Sequence, residues 1–231
     1  MIPPAAATRH MTPTTLPAPQ AEVDAEIAVQ AGLRRPVLVV DLDGTLVRTD
    51  TLIEALLAGL ARPGALLRAF GALRHGRARF KQAVAEIGKF DPALLLYNEE
   101  LLAYLRRERK SGRALILATA ADRRIAFAVA RHLDLFDAVL ASDGVVNLKG
   151  KAKLAAIRST LGEHPFVYAG NERADLAIWR EADGAILVGA GAGLKRAAAA
   201  IARIEQSFDA GIAWPAALRR VTRPHQRSRT R

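Results

Sequence analysis

Val39-Val40-Asp41-Leu42-Asp43-Gly44-Thr45-Leu46 constrains the fold of this 231-residue chain more than any other stretch. A β-branched run ending in two carboxylates two positions apart reads as a buried strand, and side chains at i and i+2 of a strand project to one side. At the carboxyl end of a strand in an open α/β sheet, that side is where ligands bind. Two acids converging there repel each other unless positive charge lies between them. A divalent cation such as Mg²⁺, which takes one or two carboxylates plus phosphate oxygens, meets that need. The same residues also read as a strand-end aspartate capping an Asp-Gly turn, and the octet alone does not choose between the two.

Further strand candidates follow in alternation with helical segments. Ala114-Leu115-Ile116-Leu117-Ala118-Thr119 precedes 122–133, where Ile125, Val129 and Leu133 fall at helical spacing. Ala138-Val139-Leu140-Ala141 precedes a helix carrying Leu154 and Ile157, Phe166-Val167-Tyr168-Ala169-Gly170 precedes 176–182, and Ala185-Ile186-Leu187-Val188 precedes a helix expected over 194–208. That order specifies a parallel sheet with crossover helices, hence a three-layer α/β/α fold. Between Leu46 and Gly112 no strand-like run occurs. Thr51-x-x-Glu54 reads as a capping box, Pro63-Gly64, Gly76 and Asp91-Pro92 mark breaks, and Asn98 caps a helix over 99–110 with acids in its first turn and cations in its last. The insertion, about 47–112, is therefore all-helical, and its arginines read as a solvated helix face. Residues 1–35 read as a flexible leader, with Met11 as an alternative start, 36–212 as the folded domain and 213–231 as a basic tail.

The octet has the form hydrophobic-hydrophobic-Asp-x-Asp-Gly-Thr-hydrophobic and resembles the first motif of the haloacid dehalogenase superfamily. The resemblance implies that Asp41 is the nucleophile and Asp43 the general acid/base, and an acid at position 43 points to a phosphatase. Thr119, at the end of the second strand, is similar to the second motif. Lys149-Gly150 looks like the third, whose lysine neutralises the phosphoryl group, with Lys153 one helical turn away as the fallback. Gly170-Asn171-Glu172-Arg173-Ala174-Asp175 resembles the metal loop Gly-Asp-x-x-x-Asp. The resemblance thus implies a HAD-like, Rossmann-like parallel sheet of order 3-2-1-4-5 and a small helical cap of the phosphoserine-phosphatase type. It implies Mg²⁺ held by Asp41, Asp43 (through its main-chain carbonyl), Asn171 and Asp175, and phosphate contacts from Gly44, Thr45 and Ala120. Asn171 departs from the pattern: a neutral carbonyl oxygen replaces a carboxylate, and weaker metal binding is the expectation.

Residues 37–208 are also similar to the HAD-like domain that precedes ubiquinone-biosynthesis-type prenyltransferases, and Arg223-Pro224-His225-Gln226 stands where the membrane domain opens in those fusions. The chain reads as a free-standing or truncated version of that domain. The expected partners are a phosphorylated small molecule or polyprenyl-linked phosphate, with a membrane prenyltransferase or an anionic membrane surface beside it.

Composition agrees with a globular α/β domain. A chain of this length holds one domain with an insertion, and 51% hydrophobic with 25% charged residues is globular composition. No apolar run approaches the roughly 18 residues of a spanning helix, and the amino terminus lacks a secretory pattern, so a cytoplasmic location, with peripheral membrane attachment allowed, is expected. With no cysteine, disulfides and thiolate metal sites are excluded. Formal charge is +11, of which six arginines within 219–231 account for more than half. A second basic cluster comprises Arg62, Arg68, Arg74, Arg77, Arg79 and Lys81 with His75. Aromatic content of 5% argues against a stacking surface for nucleic acid and favours an anionic substrate or membrane. Gly189-Ala190-Gly191-Ala192-Gly193 has the wrong glycine offsets for a dinucleotide loop and, with no strand expected after it, reads as a turn. His132 and His164 read as surface residues and Trp179 as core.

Overall fold

The computed structural model describes residues 35–59, 63–86, 90–143 and 145–209. The expected leader and tail fall almost wholly outside the described residues. Six strands form one parallel sheet: β1 (Val37–Val40), β2 (Leu115–Asp122), β3 (Ala138–Ser142), β4 (Phe166–Gly170), β5 (Gly184–Val188) and β6 (Ile204–Phe208), in the order β3-β2-β1-β4-β5-β6. The first strand is central, with Val40 beside Leu117 on one flank and Ala169 on the other. Strand order reverses between β1 and β4, which is the crevice where open α/β sheets bind ligands.

Alternation of side chains divides the core between the two faces of the sheet. Leu38 and Val40 pack with α4 (Glu99–Lys110) and α5 (Arg123–Leu133) through Leu101, Leu105, Ile125 and Val129. Val37 and Val39 pack with α6 (Lys151–Leu161) and α7 (Leu176–Trp179) through Ile157, Leu161, Ile178 and Trp179. Strands covered on both faces read as continuous apolar runs, which is why β1 is legible as Val-Leu-Val-Val.

Between β1 and α4 lie α1 (Thr51–Gly59), α2 (Pro63–Gly71), a 3₁₀ turn (Ala72–His75) and α3 (Arg77–Ala85). The start of α1 differs from the expected capping box: Asp50 accepts from the Leu52 amide at 2.8 Å, and the Thr51 amide turns to Asp43. The α4 helix begins as expected, with Asn98 accepting from the Leu101 amide at 3.2 Å. Its leucines lie in the main core, so α4 is a crossover helix of the sheet rather than part of the insertion's outer layer.

One expectation fails at the carboxyl end. The predicted helix over 194–208 splits into α8 (Ala192–Ala199) and β6, which adds an edge strand beside β5. The alanine run carries helical propensity only to Ala199. Beyond it, Glu205 is drawn to the sheet by Arg113, which is almost fully buried and bonds Glu205 at 2.7 Å, with the Tyr104 hydroxyl on the same carboxylate at 2.9 Å. The Gly189–Gly193 turn therefore sits inside a βαβ unit after all, although its glycine offsets still do not fit a dinucleotide loop. Trp179 is core as expected, donating its indole N–H to the Tyr168 carbonyl at 3.0 Å. Among the described residues no helix is long and apolar enough to cross a membrane.

Candidate active site

Asp41 is the first residue beyond β1, and its amide still donates to the Ala169 carbonyl at 3.0 Å. Its side chain is therefore fixed at the crevice between β1 and β4. One carboxylate oxygen takes the Lys153 ammonium at 2.5 Å; the other has a long 3.4 Å contact from the buried Thr45 hydroxyl. Lys153 leads the inward stripe Lys153-Ile157-Leu161 of α6, four residues apart each time, and only 5% of its side chain is exposed.

Lys149, expected as the third-motif lysine, lies farther out than Lys153. Lys149 precedes Gly150, whose φ of +55° turns the chain into α6, and its side chain is 55% exposed in an ion pair with Glu172 at 3.1 Å. The structure brings Lys153 to Asp41 and leaves Lys149 at the rim.

Beneath the ion pair lies a residue whose role the sequence did not reveal. The Tyr168 hydroxyl accepts from Lys153 at 2.9 Å and donates to Asp175 at 3.1 Å. It is fully buried, and burial together with the charges of Asp41 and Asp175 raises its pKa well above that of an ordinary phenol. Asp175 uses its other oxygen to accept the amides of Asn171 and Glu172, both at 2.9 Å. Both Asp175 oxygens are thus committed to closing the loop after β4, in place of the metal-facing orientation expected for this carboxylate. Burial first, and the charge of Asp41 second, push its pKa up.

Asn171 lies against the first motif. Gly44 has φ +72°, and a Cβ placed there would fall 2.1 Å from the Asn171 amide nitrogen, so only glycine leaves room for this contact. Asp43 turns toward the insertion, where its carboxylate accepts the Thr51 amide at 2.7 Å. Burial, opposed by the Thr51 hydrogen bonds and aided by the charges of Asp41 and Asp50, lifts its pKa from 3.8 to about 6. Thr119 is fully buried and its hydroxyl accepts the Ala121 amide at 2.9 Å. The Ala120 carbonyl receives Lys81 of α3 at 2.8 Å and the Ser142 hydroxyl at 3.0 Å. A small cleft opens beside Asp43, walled by Asp50, Thr51, Lys81 and Asp122.

Among the described residues no three His, Cys, Asp or Glu side chains converge as a metal-binding group. Oxygens that could serve a hard cation include the weakly engaged Asp41 oxygen, the Asp43 carbonyl and the Asn171 amide oxygen. This donor set fits Mg²⁺, which readily completes its shell with water and phosphate.

Residues 38–180 match the haloacid dehalogenase-like hydrolase family. The chain belongs to that family. It is 42% identical over 159 residues to an uncharacterised protein of Sinorhizobium fredii, an alignment covering 68% of this chain and 31% of that protein. The chain thus spans about a third of this relative's length. Among solved structures it is similar to a protein of unknown function from Bordetella pertussis Tohama I, with TM-score 0.56, 16% identity, and coverage of 76% of this chain and 99% of that one. It is also similar to a substrate-bound phosphoserine phosphatase, with TM-score 0.52, 15% identity, and coverage of 76% and 94%. These likenesses establish the HAD-like fold.

Proposed function

We propose that the protein hydrolyses a phosphomonoester through an aspartyl-phosphate on Asp41. The observation that carries this reading is the Asp41–Lys153 pair at the strand-order reversal, with Asp43 beside it held near pKa 6. An Asp41 carboxylate oxygen attacks phosphorus in line and the ester oxygen departs with a proton from Asp43. Asp43, now ionised, takes a proton from the water that attacks the acyl phosphate, returning Asp41 as carboxylate. A pKa near the working pH suits a group that must both give and accept a proton. Lys153 stabilises charge on the transferring phosphoryl oxygens, with the backbone of Gly44 and Thr45 and the Thr119 region shaping the rest of the clamp. Mg²⁺, held by Asp41, the Asp43 carbonyl and Asn171, would supply charge neutralisation at those oxygens.

The insertion acts as the cap in this proposal. We take the cap as about 47–97, leaving α4 to the sheet, and Lys81 reaches from it to the Ala120 carbonyl at the mouth of the site. Cap closure excludes water and selects the leaving group. The substrate is a phosphorylated small molecule or polyprenyl-linked phosphate.

A second reading is a catalytically weak docking module associated with a membrane prenyltransferase. One observation favours it: Asn171 supplies no charge where the family pattern has a carboxylate. Hydrolysis of an aryl phosphate with Mg²⁺ separates the two. The first reading expects turnover that Asp41→Asn lowers by several powers of ten, because an amide is no nucleophile. Equal rates in both proteins, or none in the wild type, would overturn it.

A further inference from the structure

From Ala55 to Ala85 the chain contains no carboxylate, while Arg62, Arg68, Arg74, Arg77, Arg79 and Lys81 all fall within it. A basic stretch alone reads as a solvated face. Its apolar companions change that reading. On α2, Ala69 is buried and Ala65 and Leu66 pack on the core, so the helix spends one apolar face on the fold. Its other side is apolar as well: Leu67 is 74% exposed, Phe70 52%, and Leu73 on the following 3₁₀ turn 47%. Spacing of three, running into a 3₁₀ turn where i and i+3 eclipse, keeps such residues along one side. Arg68, Arg74 and Arg79 are exposed among them, and the Phe70 ring is set by its contact with Phe80, centroids 5.4 Å apart.

We propose that this side of the insertion docks on an anionic lipid surface, with Leu67, Phe70 and Leu73 entering the acyl boundary and the arginines resting among the headgroups. Charge complementarity selects the occupant: Arg68, Arg74 and Arg79 are exposed in a stretch without a carboxylate, and each basic residue near a negative leaflet contributes additively. Three side chains are too few for the core of a stable protein interface, which draws on some 20–30 residues a side. They suffice for an interfacial helix, where inserted apolar area and electrostatic attraction add. Nucleic acid would meet the charge but has no use for exposed leucines, since single strands bind by stacking on aromatic rings. This surface lies outside the catalytic residues, so the proposal stands or falls independently of the phosphatase reading.

The test is co-sedimentation of the full chain with vesicles of phosphatidylcholine alone or with one quarter phosphatidylglycerol. Binding is expected only to the anionic vesicles, weakening as salt rises toward about 1 M, where the Debye length is about 3 Å. The triple variant Leu67→Gln, Phe70→Gln, Leu73→Gln should lower the partition coefficient by about tenfold or more. Arg68→Gln with Arg74→Gln should lower it by about thirtyfold. Thermal melts check that both variants are folded, and Leu67→Gln alone, the most exposed position, provides a mild version if the triple is not. Wild-type-like binding by the triple variant would show that the arginines of 210–231 suffice, and would overturn the proposal. So would failure of the wild type to bind anionic vesicles, or equal weakening by the apolar variants of binding to a single-stranded oligonucleotide.

Discussion

Lys153 reaches Asp41 at 2.5 Å while the same ammonium donates to Tyr168 at 2.9 Å, so the lysine is held from two sides within a buried pocket. The pair places an ammonium group at the point where phosphoryl oxygens would gather. The linkage continues through the Tyr168 hydroxyl to Asp175 and hence to the loop that carries Asn171, joining Asp41 to the loop after β4 by an unbroken chain of hydrogen bonds.

The two lysines should therefore separate cleanly. Lys153→Met is expected to lower kcat/KM on an aryl phosphate by about 10²–10³, the usual cost of removing one electrostatic contact to developing charge. Lys149→Met, which breaks a half-exposed pair with Glu172, should stay within a few-fold, as surface ion pairs contribute about 0–1 kcal/mol. Steady-state kinetics of both variants checks this. The reverse ranking would return the third-motif role to Lys149.

Tyr168→Phe removes one hydroxyl and leaves the ring in its core position. Lys153 and Asp175 each lose a partner, and a net cost of about 1–3 kcal/mol in stability follows from leaving buried polar groups unsatisfied. The lysine, less firmly aimed, should lower kcat/KM by about tenfold or more, and the loosened loop should raise the Mg²⁺ concentration for half-maximal rate. A thermal melt with a Mg²⁺ titration measures both. A loss of stability with kinetics unchanged would make Tyr168 a core residue only.

Much of this was legible in the sequence, and the exceptions have physical causes. Asp41 and Asp43 stand out because a buried strand does not end in carboxylates without a reason, and Gly44 because its positive φ and the Asn171 contact admit only glycine. Lys149 reads as the motif lysine because Lys149-Gly150 follows the third strand and opens an amphipathic segment. The choice turns on where α6 begins, and Gly150 moves that start so that the inward stripe opens at Lys153. Tyr168 hides within an apolar strand, where a tyrosine looks like packing until its hydroxyl is located. The sixth strand hides behind an alanine run whose helical propensity stops short of Ile204, and its sequence Ile-Glu-Gln-Ser-Phe carries no apolar alternation.

Asp43 carries a pH prediction. Its carboxyl is raised from 3.8 to about 6 in the folded chain, so between those values the folded state binds more protons than the unfolded state. Its contribution to stability therefore falls as pH climbs through that window, and at neutral pH the ionised group is a net cost. Asp43→Asn keeps an acceptor for the Thr51 amide and removes the charge, so it should raise the melting temperature at pH 7 by about 3 °C, corresponding to about 1 kcal/mol. Wild-type kcat/KM on an alkyl phosphate, whose leaving group needs the proton, should decline above about pH 6, and Asp43→Asn should abolish that limb along with most of the activity. A flat profile in the wild type would remove Asp43 from the acid role.

Asn171→Asp tests the neutral position of the metal loop. The new carboxylate would lie against Gly44, next to the Asp41–Asp43 turn, and would add a second anion to a donor set that now offers Asp41 alone. Mg²⁺ binds through one or two carboxylates, so the half-saturating Mg²⁺ concentration should fall, by about tenfold if the oxygen reaches the cation directly. Without metal, the same substitution places like charges together, so the variant should melt lower than wild type in chelator and regain the difference on adding Mg²⁺. Melting with and without Mg²⁺ therefore reads the site even if turnover is slow. An unchanged Mg²⁺ dependence in both measurements would mean that residue 171 does not face the cation and that any metal is held by Asp41 and the Asp43 carbonyl without it.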